Sequence, residues 1–199
     1  MHALRLTAVA LLLAPIAAQA QRTVTDSLPF TAGQWGIEAG VGGGGSVGAL
    51  KFLSRATALA ANLAVNYNTR TTDPQLAGVP VSEFSNTFVT ATLGVRHYAP
   101  VARSIGALFT VGAAISRQST HANPGDIRGH ETDVGAFGEV GLSYFVLPRL
   151  TLNGTYGLTV QHQDGAQLQN LLNSQVSTVK THGWLVQTTG MRATVGIFF

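Results

Sequence analysis

Hydrophobic and polar residues alternate along most of this chain, with a period of two and not the 3.6 of a helix. From 89 to 96, for example, apolar side chains occupy the odd positions, and threonines, a glycine and an arginine occupy the even ones. The same pattern recurs from 104 to 117 and from 150 to 162. Alternation sustained over runs this long is typical of strands with one apolar and one polar face.

Eight such runs can be assigned between residue 34 and the last residue, Phe199. The predicted strands are 34–42, 45–53, 57–68, 85–98, 104–117, 133–146, 150–162 and 183–199. Most are longer than the usual strand of a soluble domain, about five or six residues. A tilted strand crosses a bilayer with about 9–11 residues. The lengths therefore predict an all-β protein, an eight-stranded antiparallel up-and-down transmembrane β-barrel.

The connections between these runs alternate in length. Those after 53, 98 and 146 are short, whereas the segments 69–84, 118–132 and 163–182 are long and polar, and 167–172 could add a helical turn. The first hairpin departs from this pattern and turns through four glycines at 42–45. Short turns at one end and long loops at the other are typical of outer-membrane barrels. A soluble eight-stranded barrel such as a lipocalin has no need of that asymmetry.

The N-terminus has the three parts of a secretory signal peptide: a short basic start, an apolar centre and the ending Ala18-Gln19-Ala20. Its apolar stretch is too short for a membrane anchor and contains Pro15. We therefore expect residues 1–20 to be a signal peptide, cleaved after Ala20. Residues 21–33 are expected to be a short periplasmic lead segment, and 34–199 the barrel.

Composition removes several other classes of protein. The chain has 23 glycines and no cysteine, which excludes disulfide frameworks and thiolate metal sites. Charged residues make up only 11%, and the net charge of +3 comes from basic residues scattered singly. Nucleic-acid binding needs a basic face, so nucleic acid is not an expected partner.

The last eight residues alternate and place Val195, Ile197 and Phe199 on one apolar face. With eight alternating runs and an export signal, the chain resembles the small outer-membrane barrels of the OmpA/OmpX type across roughly 34–199. The resemblance implies residence in the cell outer membrane, in contact with outer-membrane lipid. It also implies recognition of the C-terminal strand by the barrel-assembly machinery, with Phe199 as the assembly signal. We expect a monomer. The nearly absent first outer loop departs from the four long loops usual in that family.

The alternation of the predicted strands is expected to turn several charged residues toward the lumen. The predicted lumen charge network consists of Glu38, Arg96, Glu139 and Arg192, with Lys51 if the second strand has the required register. Buried charges need partners, and eight strands enclose a space that side chains just fill. The sequence therefore predicts a plugged polar lumen. A narrow porin-like channel or small-solute conduit is the alternative.

Aromatic residues fall near the ends of the predicted strands, where they are expected to form interfacial girdles. These residues are Trp35, Tyr67, Tyr98, Phe145, Trp184 and Phe198.

No chemistry-bearing motif stands out. The loop histidines 121, 130, 162 and 182 and the acids Asp126, Glu131 and Asp164 have no compact metal-ligand spacing, so no metal or cofactor is expected. Ser116, Ser119, His121 and Glu131 could meet around one outer loop, but no lipid-facing His-x-Ser pair is present. A lipid-modifying enzyme is therefore the third interpretation, no catalytic residue is assigned, and a structural or surface-interaction role is favoured.

Overall fold

The computed structural model describes residues 28–41, 44–72, 82–123, 127–171 and 175–199. The predicted signal peptide and most of the predicted lead segment lie outside these ranges. Within the described ranges, no helix is long and apolar enough to cross a membrane.

Eight antiparallel strands account for nearly all of the described chain. They are β1 (Trp35–Val41), β2 (Gly45–Phe52), β3 (Thr57–Thr72), β4 (Ser82–Ala102), β5 (Ile105–Asn123), β6 (Ile127–Leu147), β7 (Leu150–Leu171) and β8 (Gln175–Phe198). Each strand pairs with the next along the chain, and β8 pairs with β1, so the sheet closes into a barrel. The predicted fold class is confirmed.

The two ends of the barrel differ. Residues 28–34, the C-terminus and the short turns after β2, β4 and β6 lie at one end, which we call the base. The last described residues of β1, β3, β5 and β7 and the first of β2, β4, β6 and β8 lie at the other end, which we call the rim.

The strands toward the rim are longer than the alternation predicted. The described residues of the predicted loops at 69–84, 118–132 and 163–182 belong to paired strands. The helical turn expected at 167–172 is wrong over 167–171, where β7 continues to Leu171. Backbone hydrogen bonds hold such hairpins together without any apolar face. Most of their side chains are polar on both faces, with exceptions such as Leu168 and Val179, so the segments show no sustained alternation.

Outward-facing side chains form an apolar belt around the barrel wall. Leu93 on β4, Val111 on β5 and Leu142 on β6 are each at least 50% exposed. The residues just before and after each of them on the same strand face inward. A soluble monomer rarely exposes so large a continuous apolar surface. A belt of this kind suits the hydrocarbon core of a bilayer.

The ring of strands is staggered. We followed the cross-strand partners from Ile37 on β1 through each neighbouring strand in turn. This series of partners ends at Val186 on β8. Ile37 itself pairs with Ile197. Such an offset requires the strands to tilt with respect to the barrel axis, as in other closed barrels.

A bulge in β8 changes which side chains face the lumen. Gly157 pairs with Gly190 and the next residue, Leu158, pairs with Thr188, so Thr189 has no opposite residue. Gly190 has a φ of 70°, which glycine adopts without a steric penalty. The extra residue shifts the alternation, so that Val186 faces outward with its partner on β7.

The β1–β2 hairpin stops well short of the neighbouring strands. Its ladder to β3 ends at Gly45 paired with Val65, and its ladder to β8 ends at Val41 paired with Ala193. Gly44 has a φ of 111°, and a Cβ there would lie 2.5 Å from the Val65 carbonyl oxygen. Glycine therefore permits both the turn and its close approach to β3.

Candidate functional site

The base of the lumen is filled by aromatic rings. Phe30 stacks on Phe52 with ring centroids 4.2 Å apart, and its centroid lies 4.9 Å from those of both Tyr98 and Phe198. All four side chains are buried. We call this cluster the base plug; its other members are Leu50, Ala58, Ala60 and Leu108.

Phe30 enters the barrel from the segment before β1. The Gly33 N–H donates to the Phe52 carbonyl at 2.8 Å, which folds this segment back across the base. Gly36 leaves room for the ring of Phe198, since a Cβ on Gly36 would lie 2.5 Å from the Phe198 Cδ1 atom. Phe30 carries no signal in the sequence, because nothing local distinguishes it from any residue of a linker.

A buried ion pair lies on the rim side of the base plug. Arg96 Nη1 donates to both carboxylate oxygens of Glu38, and Arg96 Nε donates to the Thr110 hydroxyl at 3.0 Å. Asn153 Nδ2 donates to Glu38 Oε1 and to the Thr194 hydroxyl, both at 3.0 Å. Five strands thus contribute to one hydrogen-bonded layer across the lumen.

A second ion pair follows toward the rim. Arg192 Nη2 donates to Glu139 Oε2 at 2.9 Å, and Arg192 Nη1 donates to Asn62 Oδ1 at 3.3 Å. The void between the two ion pairs has a volume of about 10 Å³. That is room for about one water molecule. The structure therefore places Glu38, Arg96, Glu139 and Arg192 inside the barrel in two separate pairs.

Lys51 does not join this network. Its strand neighbours Leu50 and Phe52 point inward, so the register turns Lys51 outward, contrary to the conditional expectation. Its Nζ donates to the Gly33 carbonyl at 2.7 Å and lies 4.5 Å from the ring centroid of Trp35. Lys51 therefore anchors the segment that carries Phe30.

Above the second ion pair, the lumen opens into a cavity of about 310 Å³, which we call the cup. Apart from the Arg192–Glu139 pair at its floor, the residues that line it are uncharged, and many carry hydrogen-bonding groups. The Ser116 hydroxyl is within hydrogen-bond distance of Thr90 and accepts from Gln161 Nε2 at 3.1 Å. Two rings, Phe88 and Phe137, also line the cup. These residues lie on lumen-facing positions of the strands, and that parity was the only sequence signal for them.

Two further acids line the lumen toward the rim. Asp133 is buried and pairs across the ladder with Ser116, and Glu131 pairs with Gln118. Glu131 fell in a predicted loop, and Asp133, the first residue of the predicted strand 133–146, was not assigned to the lumen.

The six predicted girdle aromatics divide into two groups. Trp35, Tyr67 and Trp184 are exposed on the outer wall. The prediction is wrong for Tyr98 and Phe198, which point inward and belong to the base plug. Phe145 is half-buried against that plug, with its ring centroid 5.5 Å from that of Phe30. A residue's position near a strand end does not decide whether its side chain faces inward. Its place in the inward–outward alternation of the strand does.

The residues considered for catalysis do not converge. Ser116 and Glu131 face the lumen, whereas Ser119 and His121 lie on the outer face of β5. Among the described residues, no group of three metal-ligating side chains comes together. His182 Nδ1 lies 3.3 Å from Asp164 Oδ1, and the ring of His162 contacts Trp184. His130 is exposed, and Asp126 lies outside the described residues.

No protein-family model matches the sequence, and no curated protein matches it. Among solved structures, a major outer membrane protein from Thermus thermophilus aligns with a TM-score of 0.52 and 15% identity, over 83% of this chain and 99% of that chain. CarO2 of Acinetobacter baumannii gives 0.45 and 13%, over 83% and 98%. Ail, the attachment invasion locus protein of Yersinia pestis, gives 0.42 and 9%, over 83% and 94%. The chain therefore shares the barrel fold of small bacterial outer-membrane proteins.

Proposed function

We propose that this protein resides in the outer membrane as a closed, non-conducting barrel with its base in the periplasm and its rim outside the cell. Its role is structural or one of surface interaction, carried by the rim. The apolar belt and the barrel fold support the membrane location.

The observation that carries the proposal is the layered closure of the lumen. The base plug, the Arg96–Glu38 pair and the Arg192–Glu139 pair follow one another, with only about 10 Å³ free between the two pairs. Opening a path for ions would require separation of buried charges, which typically costs about 3–5 kcal/mol for one broken pair.

The rim supports an interaction role. The hairpins of β3 to β8 continue beyond the outward-facing Tyr67 and Trp184, and their outer faces there are polar. His121, Lys180 and His182 are exposed on this collar. A rigid polar collar that stands clear of the lipid offers a surface for contact with other molecules outside the cell.

The C-terminal residue supports a role in assembly. The Phe199 N–H donates to the Trp35 carbonyl at 2.9 Å, and the Trp35 N–H donates to the Phe199 carbonyl at 3.1 Å. Phe199 therefore extends the pairing between β8 and β1, the seam at which the barrel closes. We infer that the barrel-assembly machinery reads this strand, that Phe199 is its signal, and that the closed ring needs no second copy.

Conductance in a planar bilayer tests the closure. We expect no steady single-channel steps from the wild-type protein, whose insertion is checked separately by heat-modifiable gel migration. The variant F30S/E38S/R96S/E139S/R192S removes the base plug's central ring and both ion pairs, and its folded fraction is the positive control for a passage. Steady steps from the wild type would overturn the proposal in favour of the channel.

Processing and location have their own test. We expect the mature chain to begin at Gln21 and to fractionate with the outer membrane. N-terminal sequencing of the membrane fraction measures both. Retention of Met1, or recovery in the soluble periplasmic fraction, would contradict this part of the proposal.

A further inference from the structure

The barrel wall has a notch above the β1–β2 hairpin. Beyond Gly45 and Val41, where the hairpin's ladders end, β3 continues to Thr72 and β8 continues back to Gln175. In the described part of the chain, β3 then pairs only with β4, and β8 only with β7. Two strands are thus missing from the wall between β3 and β8 on the rim side.

The notch lies within the apolar belt. On β3, the ladder to β2 ends at Val65, one outward-facing position below Tyr67. On β8, the ladder to β1 ends at Ala193, and the outward side chains of Met191, Val186 and Trp184 all lie farther toward the rim. Because exposed apolar side chains flank the notch, it opens at the depth of the outer leaflet.

The cup lies behind this notch. Among the described residues, strands β3 to β8 line the cup, and β1 and β2 do not. Thr188 pairs with the outward-facing Leu158 and also lines the cup. The edge of β8 beside the bulge therefore lies between the cup and the notch.

The backbone groups at the edges of the notch need polar partners. Strand edges at membrane depth carry backbone N–H and C=O groups, and these are tolerated only where water or another polar group meets them. The cup wall offers neutral donors and acceptors such as Gln161 and Gln187 beside the rings of Phe88 and Phe137. At its floor the charges of Arg192 and Glu139 pair with each other, and the buried Arg192 Nε–H has no acceptor among the described residues, so it can donate to a neutral ligand oxygen. These features match an uncharged molecule with one polar end and one apolar end.

We propose that the notch is a side entrance through which a small, uncharged amphipathic molecule passes from the outer leaflet into the cup. Its hydroxyl or carbonyl groups lie among the neutral polar residues of the cup, and its aliphatic tail extends through the notch into lipid. A cavity of about 310 Å³ is at the small end of the range for ligand pockets, roughly 300–1,000 Å³. The inference rests on the proposed membrane placement.

Photo-crosslinking of the full chain in lipid nanodiscs tests this proposal. The probe is mono-octanoyl glycerol with a diazirine at the end of its tail, and labelled peptides are mapped by mass spectrometry. Because the diazirine sits at the end of the tail, we expect saturable labelling on the two strands that flank the notch, β3 and β8. Unlabelled mono-octanoyl glycerol should compete, whereas octanoate and octylammonium should compete at least about tenfold more weakly.

Matched variants locate the site. Thr90→Phe places a ring in the cup and should lower saturable labelling by about tenfold or more. Ala136→Phe adds the same ring to the lipid-facing side of β6 and should leave labelling unchanged. If Thr90→Phe does not fold, Ala64→Phe fills the cup from β3 instead.

Two outcomes would overturn the inference. One is non-saturable labelling spread evenly around the apolar belt. The other is equal competition by the charged probes. Both presuppose an inserted barrel, so they leave the closed-barrel proposal standing. Failure of the protein to fractionate with the outer membrane would instead remove the placement on which both proposals depend.

Discussion

Arg96 and Glu38 are 58 positions apart in the sequence, yet Arg96 Nη1 lies 2.7 Å and 2.8 Å from the two carboxylate oxygens of Glu38. The two side chains are 5% and 3% exposed. They join β4 to β1 across the lumen, so the first hairpin is tied to the opposite wall by a buried charge pair.

Removal of the carboxylate from this pair should destabilise the barrel strongly. Glu38→Gln leaves the Arg96 guanidinium buried without a counter-charge, so we expect the free energy of unfolding to fall by about 3–5 kcal/mol. Glu139→Gln should cost less, because the side chain of its partner Arg192 is 16% exposed and retains some solvation. Urea unfolding followed by heat-modifiable migration measures both. Glu83→Gln, at the exposed rim, is the control, and an equal loss in all three variants would contradict the argument.

The two faces of β4 should respond oppositely to a new charge. Leu93 is 63% exposed in the middle of the apolar belt, where an arginine costs roughly 2–4 kcal/mol. Thr90 faces the cup, where an arginine can be hydrated. We therefore expect Leu93→Arg to impair insertion and Thr90→Arg to be tolerated, as measured by the folded fraction in outer-membrane preparations. Similar folded fractions for the two variants would show that the faces are misassigned.

The base plug should contribute stability without being the whole barrier to ions. Phe30→Ala removes its central ring, and truncation of a buried phenylalanine typically costs about 3–5 kcal/mol. The Arg96–Glu38 layer is untouched, so the variant should still show no single-channel steps. The rim residue Phe84 is 40% exposed, and Phe84→Ala should lower the melting temperature much less. Ion conduction by Phe30→Ala would assign the barrier to the ring alone.

Two adjacent glycines in the first hairpin should differ in tolerance. Gly44→Ala would hold a side chain at a φ of 111° and set its Cβ 2.5 Å from the Val65 oxygen, so we expect a loss of more than about 1 kcal/mol. A Cβ on Gly45 meets nothing within 4 Å, so Gly45→Ala should be nearly neutral. Thermal unfolding of the two variants compares them directly. Equal melting temperatures would contradict the described hairpin geometry.

The faces of the strands could be predicted from the sequence, because a lumen and a lipid surface impose opposite preferences on alternate residues. The same rule could have corrected the aromatic prediction. Tyr98 has the parity of Arg96, which was already placed inside, and Phe198 lies between the outward Ile197 and Phe199. The alternation therefore indicates that both side chains face inward, although both residues lie near strand ends.

Other features had no local signal. Phe30 reaches the base plug only because the barrel closes around it, and no periodicity marks a single residue before the first strand. The long rim hairpins are mostly polar on both faces and are held together by backbone hydrogen bonds. Their strands therefore could not be predicted from the pattern of side chains. The notch results from the difference in length between the β1–β2 hairpin and the neighbouring strands β3 and β8. It could not be predicted, because the sequence did not show how far β3 and β8 extend toward the rim.

The seam between β8 and β1 has a kinetic consequence. It pairs Gly36 with Phe198, residues from opposite ends of the described chain, through a ladder that extends only to Val41. The hairpins β3–β4, β5–β6 and β7–β8 join near neighbours through much longer ladders. Contacts between distant residues form late, because the intervening chain must first be ordered. We therefore expect the long hairpins to pair first and β1 to complete the ring last, so that amide hydrogens along β1 exchange sooner than those in the interior of β6.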